Sequence, residues 1–305
     1  MKVLVATEKP FAAPAVEGIR QEIEGNGHQL VLLEKYTEKA QLLNAVADVD
    51  ALIVRSDKVD AEVIEAARQL KIVVRAGAGY DNIDLDAATA HNVVAENTPG
   101  QNANAVAELV FGLLVYAVRN FYNGKSGTEL LNKKLGILAF GNVGRNVARI
   151  AKGFGMDVYA YDAFCPASVI EAAGVHAVGN QDDLFEQCDI VSLHIPATAE
   201  TRQSINKALV AKLKKGGILI NTARKEVINE EELIELLTER DDLKYVTDIM
   251  PENHERFLQF SGRYFSTPKK MGAQTTEANT NAGIAAARQI NAYFKDGDTR
   301  FQVNK

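Results

Sequence analysis

The chain has 305 residues, enough for two domains with a core each, and its 47% hydrophobic and 24% charged residues are those of an ordinary globular protein. A formal net charge of −6 without a long basic run argues against a nucleic-acid partner. The longest apolar stretch, residues 106–118, is too short to span a bilayer and contains Glu108, which argues against a membrane partner.

Two cysteines, Cys165 and Cys188, have no metal-ligand spacing, so neither a metal centre nor a structural disulfide is expected and a reducing cytoplasm fits. The opening MKVLVATEK reads as a strand, not a signal peptide. Residues 1–98 then alternate β-like segments (2–6, 29–33, 51–55, 72–75, 93–96) with helical patterns (12–24, 38–46, 61–70, 85–91), which predicts a small doubly wound parallel sheet. No glycine fingerprint lies in this half. After the breaker Thr98-Pro99-Gly100, a helical pattern over 102–121 reads as a connector between domains.

Residues 135–162 carry the most informative pattern. An apolar run, 135–140, reads as a buried strand. The glycine turn Phe140-Gly141-Asn142-Val143-Gly144 follows, then an amphipathic helix, then a second strand, 158–161, ending in Asp162. This is the layout of a dinucleotide-binding unit. Gly141 lets a pyrophosphate approach the backbone, Gly144 lets the helix pack on the strand, and the helix N-terminus faces the phosphates. Asp162 stands 18 residues after Gly144, close to the spacing of an acid that binds ribose hydroxyls. Ala163 and Phe164 follow it, with no Arg or Lys for a 2′-phosphate, which favours NAD over NADP. The first fingerprint glycine is replaced by Ala139, which is expected to keep a negative φ.

Further strands at 189–193, 218–221 and 245–247 end in His194, in Thr222-Ala223-Arg224 and in Asp248, polar residues placed at the carboxyl edge of a parallel sheet, where such sheets bind ligands. Residues 275–295 form a long alanine-rich helix, and 299–303 read as an edge strand returning to the first domain. The expected fold is α/β, with two doubly wound parallel-sheet domains: a flavodoxin-like substrate domain (1–98 and 276–305) and a Rossmann-type cofactor domain (99–275).

The strings RSDKVDAEVI, VVRAGAGYDNID, NTPGQN, VAELVFGLL, LGILAFGNVGR, SLHIPATAETR, INTARKEVINEEEL and TPKKMGAQTTEAN, in this order, resemble the D-2-hydroxyacid dehydrogenases over nearly the whole chain. They are most similar to its short branch acting on D-3-phosphoglycerate, in which a lysine replaces the usual catalytic histidine. The resemblance implies a homodimer, a substrate cleft between the domains, a phosphorylated 2-hydroxy or 2-keto acid as small-molecule substrate, and NAD as cofactor. The apolar stretch 110–118 suits the family's dimer contact.

The resemblance also distributes roles. Arg224 falls on the catalytic arginine, whose planar fork suits a carboxylate and keto oxygen, and Lys225 stands where the family has glycine. Gly77-Ala78-Gly79 offers an anion nest for the substrate carboxylate. Arg55, Ser56 and Asn102 belong to substrate binding, with Lys58 and Arg75 adding charge for a phosphate. Pro196, Thr201 and His194 belong to the cofactor loop, Thr222 and Ala223 to the ring pocket, Asp248 to the nicotinamide carboxamide, and Gly272 to the same pocket. Counting back from Gly272-Ala273 puts Lys270 in the histidine's place; counting forward from Thr267-Pro268 gives Lys269. Lys270 is preferred, because the helix after Gly272 fixes geometry better than the loop before it. The family's glutamate falls on Asn253, beside Glu252. Other 2-keto acids, and a non-catalytic NAD-binding module related to transcriptional corepressors, are the competing readings.

Overall fold

Each series of apolar runs forms its own parallel sheet. The computed structural model describes residues 1–305 and divides into two units, 1–102 with 274–305, and 103–273.

In the first unit the chain runs β1 (Lys2–Thr7), α1 (Ala13–Gly25), β2 (Gln29–Glu34), α2 (Lys39–Val46), β3 (Ala51–Val54), α3 (Ala61–Ala66), β4 (Ile72–Arg75), α4 (Leu85–Ala90) and β5 (Val94–Asn97). The strands pair in parallel in the order β2-β1-β3-β4-β5. The direction of winding therefore switches between β1 and β3, and the loops leaving those strands open a crevice at the carboxyl edge. β3 is buried throughout and β1 and β4 almost so, which is why they read as unbroken apolar runs and not as alternation.

The second unit runs α5 (Ala103–Val118), β6 (Lys134–Leu138), α6 (Asn142–Gly153), β7 (Asp157–Tyr161), α7 (Ala167–Ala172), β8 (His176–Ala177), α8 (Gln181–Gln187), β9 (Ile190–Leu193), α9 (Lys207–Val210), β10 (Ile218–Asn221), α10 (Glu230–Glu239), β11 (Lys244–Thr247), α11 (His254–Phe257) and β12 (Tyr264–Ser266). Seven parallel strands take the order β12-β11-β10-β9-β6-β7-β8, so the switch falls between β6 and β9. Asn180, Asn206 and Asn229 cap α8, α9 and α10 by accepting a backbone N–H of the first turn. Most of the apolar stretch 110–118 is spent within this unit's own core, as Val110, Phe111, Leu113, Leu114, Ala117 and Val118 are buried.

The last helix, α12 (Thr276–Asp296), is capped by Thr275 and belongs to the first unit. It packs on α1 through Gly283, where an added Cβ would come within 2.9 Å of Ile19, and through the Arg288–Glu22 pair at 2.7 Å.

Three local expectations need correction. The helix expected over 61–70 stops at Ala66, because Leu70 turns into the core before β4. The connector helix stops at Val118, and Asn120, Phe121 and Tyr122 all take left-handed backbone (φ 51, 55 and 55°). The tail forms no strand. It makes one antiparallel bridge, Glu96 to Gln302, with Val303 N donating to Ala95 O (2.9 Å), and the Asn304 side-chain amide adds two bonds: its Oδ1 accepts from Ala95 N (3.0 Å) and its Nδ2 donates to Val93 O (2.9 Å). The tail backbone and this one amide together cover the edge of β5.

Beneath this strap Glu96 is 1% exposed, and burial pushes its carboxyl up to about 7 from an ordinary 4.5. The folded state holds this proton more tightly than the unfolded chain, so the stabilisation is full below pH 4.5 and is lost as pH rises through 7. Glu96→Gln should leave the stability nearly unchanged at pH 4.5 and raise it at pH 8, by at most ~3 kcal/mol, read as a rise in Tm. An equal shift at both pH values would contradict this.

Candidate functional site

The glycine turn sits where β6 ends. Ala139 donates its N–H to Tyr161 O (2.9 Å) and takes a φ of 79°, not the negative value expected for alanine. The cause is close packing: a Cβ on Gly144 would lie 2.3 Å from Ala139 O, so α6 presses on this turn and leaves the left-handed conformation. That conformation costs an alanine ~1 kcal/mol. Gly141 is different. Its φ is −78°, and an added Cβ would meet nothing within 4 Å. Nothing in the chain itself requires glycine there, so the space suits a group brought from outside. Asn142, Val143 and Gly144 form the first turn of α6, whose N–H groups have no helical partner and can serve a phosphate. Phe140 contributes only its backbone, because its ring is buried in the core.

Asp162 follows β7. Its Oδ2 accepts from Phe140 N (2.7 Å) and its Oδ1 from Phe164 N and Cys165 N (2.8 Å each), and these three backbone bonds hold its carboxyl below the usual range against the opposing effect of burial. Ala163 lies within the turn so closed, and Phe164 beyond it is 97% exposed. Arg145, on α6, also reaches this corner: Nη2 is 3.6 Å from Cys165 Sγ, and its guanidinium lies over the Phe140 ring. Inspection of the residues after Asp162 alone misses this cation.

After β9, desolvation pushes the His194 imidazole down to about 3, so it is neutral at physiological pH. Its Nε2 lies 2.9 Å from Ser192 Oγ. A ring held neutral has no imidazolium proton to donate near neutrality. The loop beyond it is closed by Thr201, whose hydroxyl donates to Pro196 O (2.5 Å) and accepts from Thr198 N (2.7 Å).

After β10, Asn221 organises the arginine turn. Its Oδ1 accepts from Ala223 N and its Nδ2 donates to Arg224 O, both at 2.9 Å. Arg224 Nη1 donates to Ala223 O (2.9 Å), and the side chain is half-buried. The Thr222 hydroxyl is buried without a partner, a group that an incoming donor or acceptor would satisfy. Lys225 pairs with Glu252 (2.8 Å), and Glu230 accepts from the N–H groups of Glu252 and Asn253, so the 252–253 loop is tied to α10.

Asp248, after β11, is fully buried. It accepts from Met271 N (2.7 Å), Gly272 N (2.8 Å) and Thr267 Oγ1 (2.9 Å). The side chains of Lys269 and Lys270 are exposed on the loop so held. Arg224, Asp248 and this loop therefore follow three adjacent strands of one sheet, β10, β11 and β12.

The first unit gathers its own groups at its carboxyl edge. Arg55 follows β3, but its guanidinium is largely engaged: Nη1 donates to Lys9 O and Pro10 O, and Nη2 to Asn279 Oδ1. Arg75 Nε donates to Arg55 O (2.9 Å). Gly77 has a φ of 152°, donates to Arg75 O, and has no room for a Cβ beside the Arg75 guanidinium, so the N–H groups left for an anion are those of Ala78 and Gly79. Asn97 and Thr98 fix this loop through Ala78 O and Gly77 O. Ser56 is exposed, Lys58 is 79% exposed and 3.8 Å from Asp60, and Asn102 is half-buried before α5. Asp57, not singled out in the sequence, ties the edge together by accepting from Glu8 N (2.6 Å) and Tyr36 OH (2.9 Å).

The model of the D-isomer specific 2-hydroxyacid dehydrogenase NAD-binding domain matches residues 116–268. A hydroxypyruvate reductase of Thermotoga maritima is 38% identical over 284 residues, 87% of this chain and 91% of that protein. The chain belongs to the D-isomer-specific 2-hydroxyacid dehydrogenase family. The D-3-phosphoglycerate dehydrogenase of Methanocaldococcus jannaschii is 37% identical over 83% of this chain, but the chain spans about half of that relative's length (51%). A crystal structure of a 3-phosphoglycerate dehydrogenase of Entamoeba histolytica, with NAD+ bound, superposes with a TM-score of 0.89 at 48% identity, covering 100% of this chain and 99% of that one.

For a member of this family, the two alanine and glycine positions of the turn give opposite tests. Gly141→Ala should leave the Tm unchanged and weaken NADH binding at least ~10-fold, because only a ligand needs the space. Ala139→Gly should raise stability by ~0.5–1 kcal/mol, by relieving the left-handed alanine, with little effect on binding. Thermal melts and NADH fluorescence titration read both. A Gly141→Ala variant that binds NADH normally would contradict the assignment.

Proposed function

We propose that the chain acts as an NAD-dependent D-3-phosphoglycerate dehydrogenase, transferring hydride between the 3-phosphoglycerate/3-phosphohydroxypyruvate couple and NAD(H), the step that opens serine synthesis. The observation carrying this reading is that Arg224, Asp248 and the Lys270 loop leave three successive strands, β10, β11 and β12, of the same sheet whose switch point bears the glycine turn. The 48% identity to the Entamoeba enzyme supports the choice of substrate. The Arg224 fork holds the substrate carboxylate and polarises the C2 oxygen. Lys270 Nζ gives its proton to that oxygen during reduction and takes it back during oxidation. Bound NAD(H) supplies the hydride exchange. Arg75, Lys58 and the Ala78–Gly79 N–H groups serve the anionic ends of the substrate.

Lysine as proton carrier has a kinetic signature. An ordinary ammonium, with a pKa of ~10.4, is a ready acid at pH 7, whereas a lysine base must first lose its proton at ~1.4 kcal/mol per pH unit. Reduction should therefore be fast at neutral pH, and the kcat of oxidation should rise into alkaline pH. His194, neutral at pH 7, lacks the proton that reduction needs. A homodimer in the cytoplasm is part of the proposal; the exposure of Leu131 (56%) and Phe154 (40%), side by side about Gly155, and the unbridged cysteines support it.

Turnover with 3-phosphohydroxypyruvate, hydroxypyruvate and glyoxylate, each with NADH and with NADPH, tests the reading. Rapid oxidation of NADH with the phosphorylated acid alone is expected. Activity confined to unphosphorylated acids would favour the hydroxypyruvate reductase reading that the Thermotoga relative suggests, and NADPH preference would point to Arg145. Lys270→Ala should lower kcat ~10²-fold or more and remove the alkaline rise, and Arg224→Gln should impair both kcat and KM. Wild-type turnover by Lys270→Ala would remove Lys270 from the chemistry.

A further inference from the structure

We infer that Asp248 and Thr267 are positioning residues for Lys270, an inference resting on the proposed role of Lys270 as proton carrier. The resemblance assigns this carboxylate to the nicotinamide carboxamide. Its bonds run elsewhere. Oδ1 accepts from Met271 N and Thr267 Oγ1, and Oδ2 accepts from Gly272 N. With two lone pairs on each oxygen, one acceptor site remains for anything else.

The geometry brackets the lysine. On one side, Thr267 Oγ1 is 2.9 Å from Lys269 O and 2.8 Å from Asp248 O, so its single hydrogen is shared among the Asp248 oxygens and the carbonyl preceding Lys270. On the other, the Met271 and Gly272 N–H groups make charge-assisted bonds to the carboxylate. Gly272 is pressed so close that an added Cβ would lie 3.0 Å from Asp248 Oδ2 and 3.2 Å from Val106 Cγ2. Asp248 is itself fixed, because its N–H donates to Asn221 O (3.0 Å), on the strand whose end carries Arg224. The backbone after Lys270 is thus tied to a carboxylate with no exposure to water, while the carbonyl before it shares the Thr267 hydroxyl with that carboxylate, and freeing the loop would leave the charge without its donors.

Such a base answers a weakness of lysine as an acid–base group. Its four-carbon stem carries ~2 kcal/mol of rotamer entropy, and a misplacement of ~1 Å at a reacting centre can cost ~10²-fold. Anchoring the Cα leaves only the stem to order in the productive complex. The same anchor links the two catalytic groups: Asn221 shapes the Arg224 turn with its side chain and receives Asp248 N–H with its carbonyl.

Thr267→Val, Thr267→Ser and Asp248→Asn, each alone and with Lys270→Ala, test the inference. The readouts are kcat and KM for keto-acid reduction, NADH Kd and Tm. In the wild-type background Thr267→Val should lower kcat ~10-fold with KM and NADH Kd within twofold, Thr267→Ser should restore most of it, and Asp248→Asn should lower kcat further. In the Lys270→Ala background Thr267→Val should change the residual rate by less than ~2-fold, since nothing remains to position. Equal losses in both backgrounds, or unchanged kcat in Thr267→Val and Asp248→Asn while Lys270→Ala is impaired, would overturn the positioning role and leave the proton-carrier reading intact. A fully active Lys270→Ala would fail that reading itself.

Discussion

A carboxylate withdrawn from water must be met by donors, and at the ends of parallel strands the nearest donors are backbone N–H groups of the neighbouring loops. That constraint shapes both units. Asp248 takes the N–H groups of Met271 and Gly272, Asp162 those of Phe140, Phe164 and Cys165, and Asp57 those of Glu8 and Arg55. Each acid joins the end of its own strand to a loop leaving another. The carboxyl edges, where side chains for chemistry gather, are therefore stitched by charge-assisted bonds instead of by hydrophobic packing.

The stitching separates the groups that hold the edge from the side chains left open on it. Arg224 and the two lysines present long, partly or fully exposed side chains on turns whose backbones are already fixed. Arg55, by contrast, lends most of its guanidinium to carbonyls and to Asn279, so it carries the architecture of its loop as well as charge. His194 shows the other limit. Desolvation keeps its imidazole neutral, which suits a ring that hydrogen-bonds without titrating.

Much of this was legible in the sequence because it is local. Short apolar runs marked the buried strands, the spacing from Gly144 to Asp162 marked the cofactor unit, and polar residues after each run marked the carboxyl edge. What the sequence hid depends on contacts far along the chain. The φ of Ala139 follows from the pressure of Gly144 in the next helix, the approach of Arg145 to Asp162 from the winding of α6, and the replacement of a tail strand by the Asn304 amide from the shape of the β5 edge. The bonds Asp248 makes within the chain were hidden for the same reason: its partners lie 19 to 24 residues away, across β12. A threonine before proline, as at Thr267-Pro268, gave the only local hint, and that pattern by itself marks a turn and no more.

The proposed chemistry depends on one arrangement, the Lys270 loop hung on Asp248 while the lysine serves the C2 oxygen. A crystal structure with NADH and a non-reducible analogue of 3-phosphohydroxypyruvate tests it most directly. The expected result keeps the Met271 and Gly272 N–H groups on the Asp248 carboxylate and puts Lys270 Nζ within hydrogen-bond distance of the oxygen at C2, with Arg224 on the carboxylate. A complex in which Asp248 has left the loop for the cofactor, or in which Lys270 stands away from that oxygen, would contradict it.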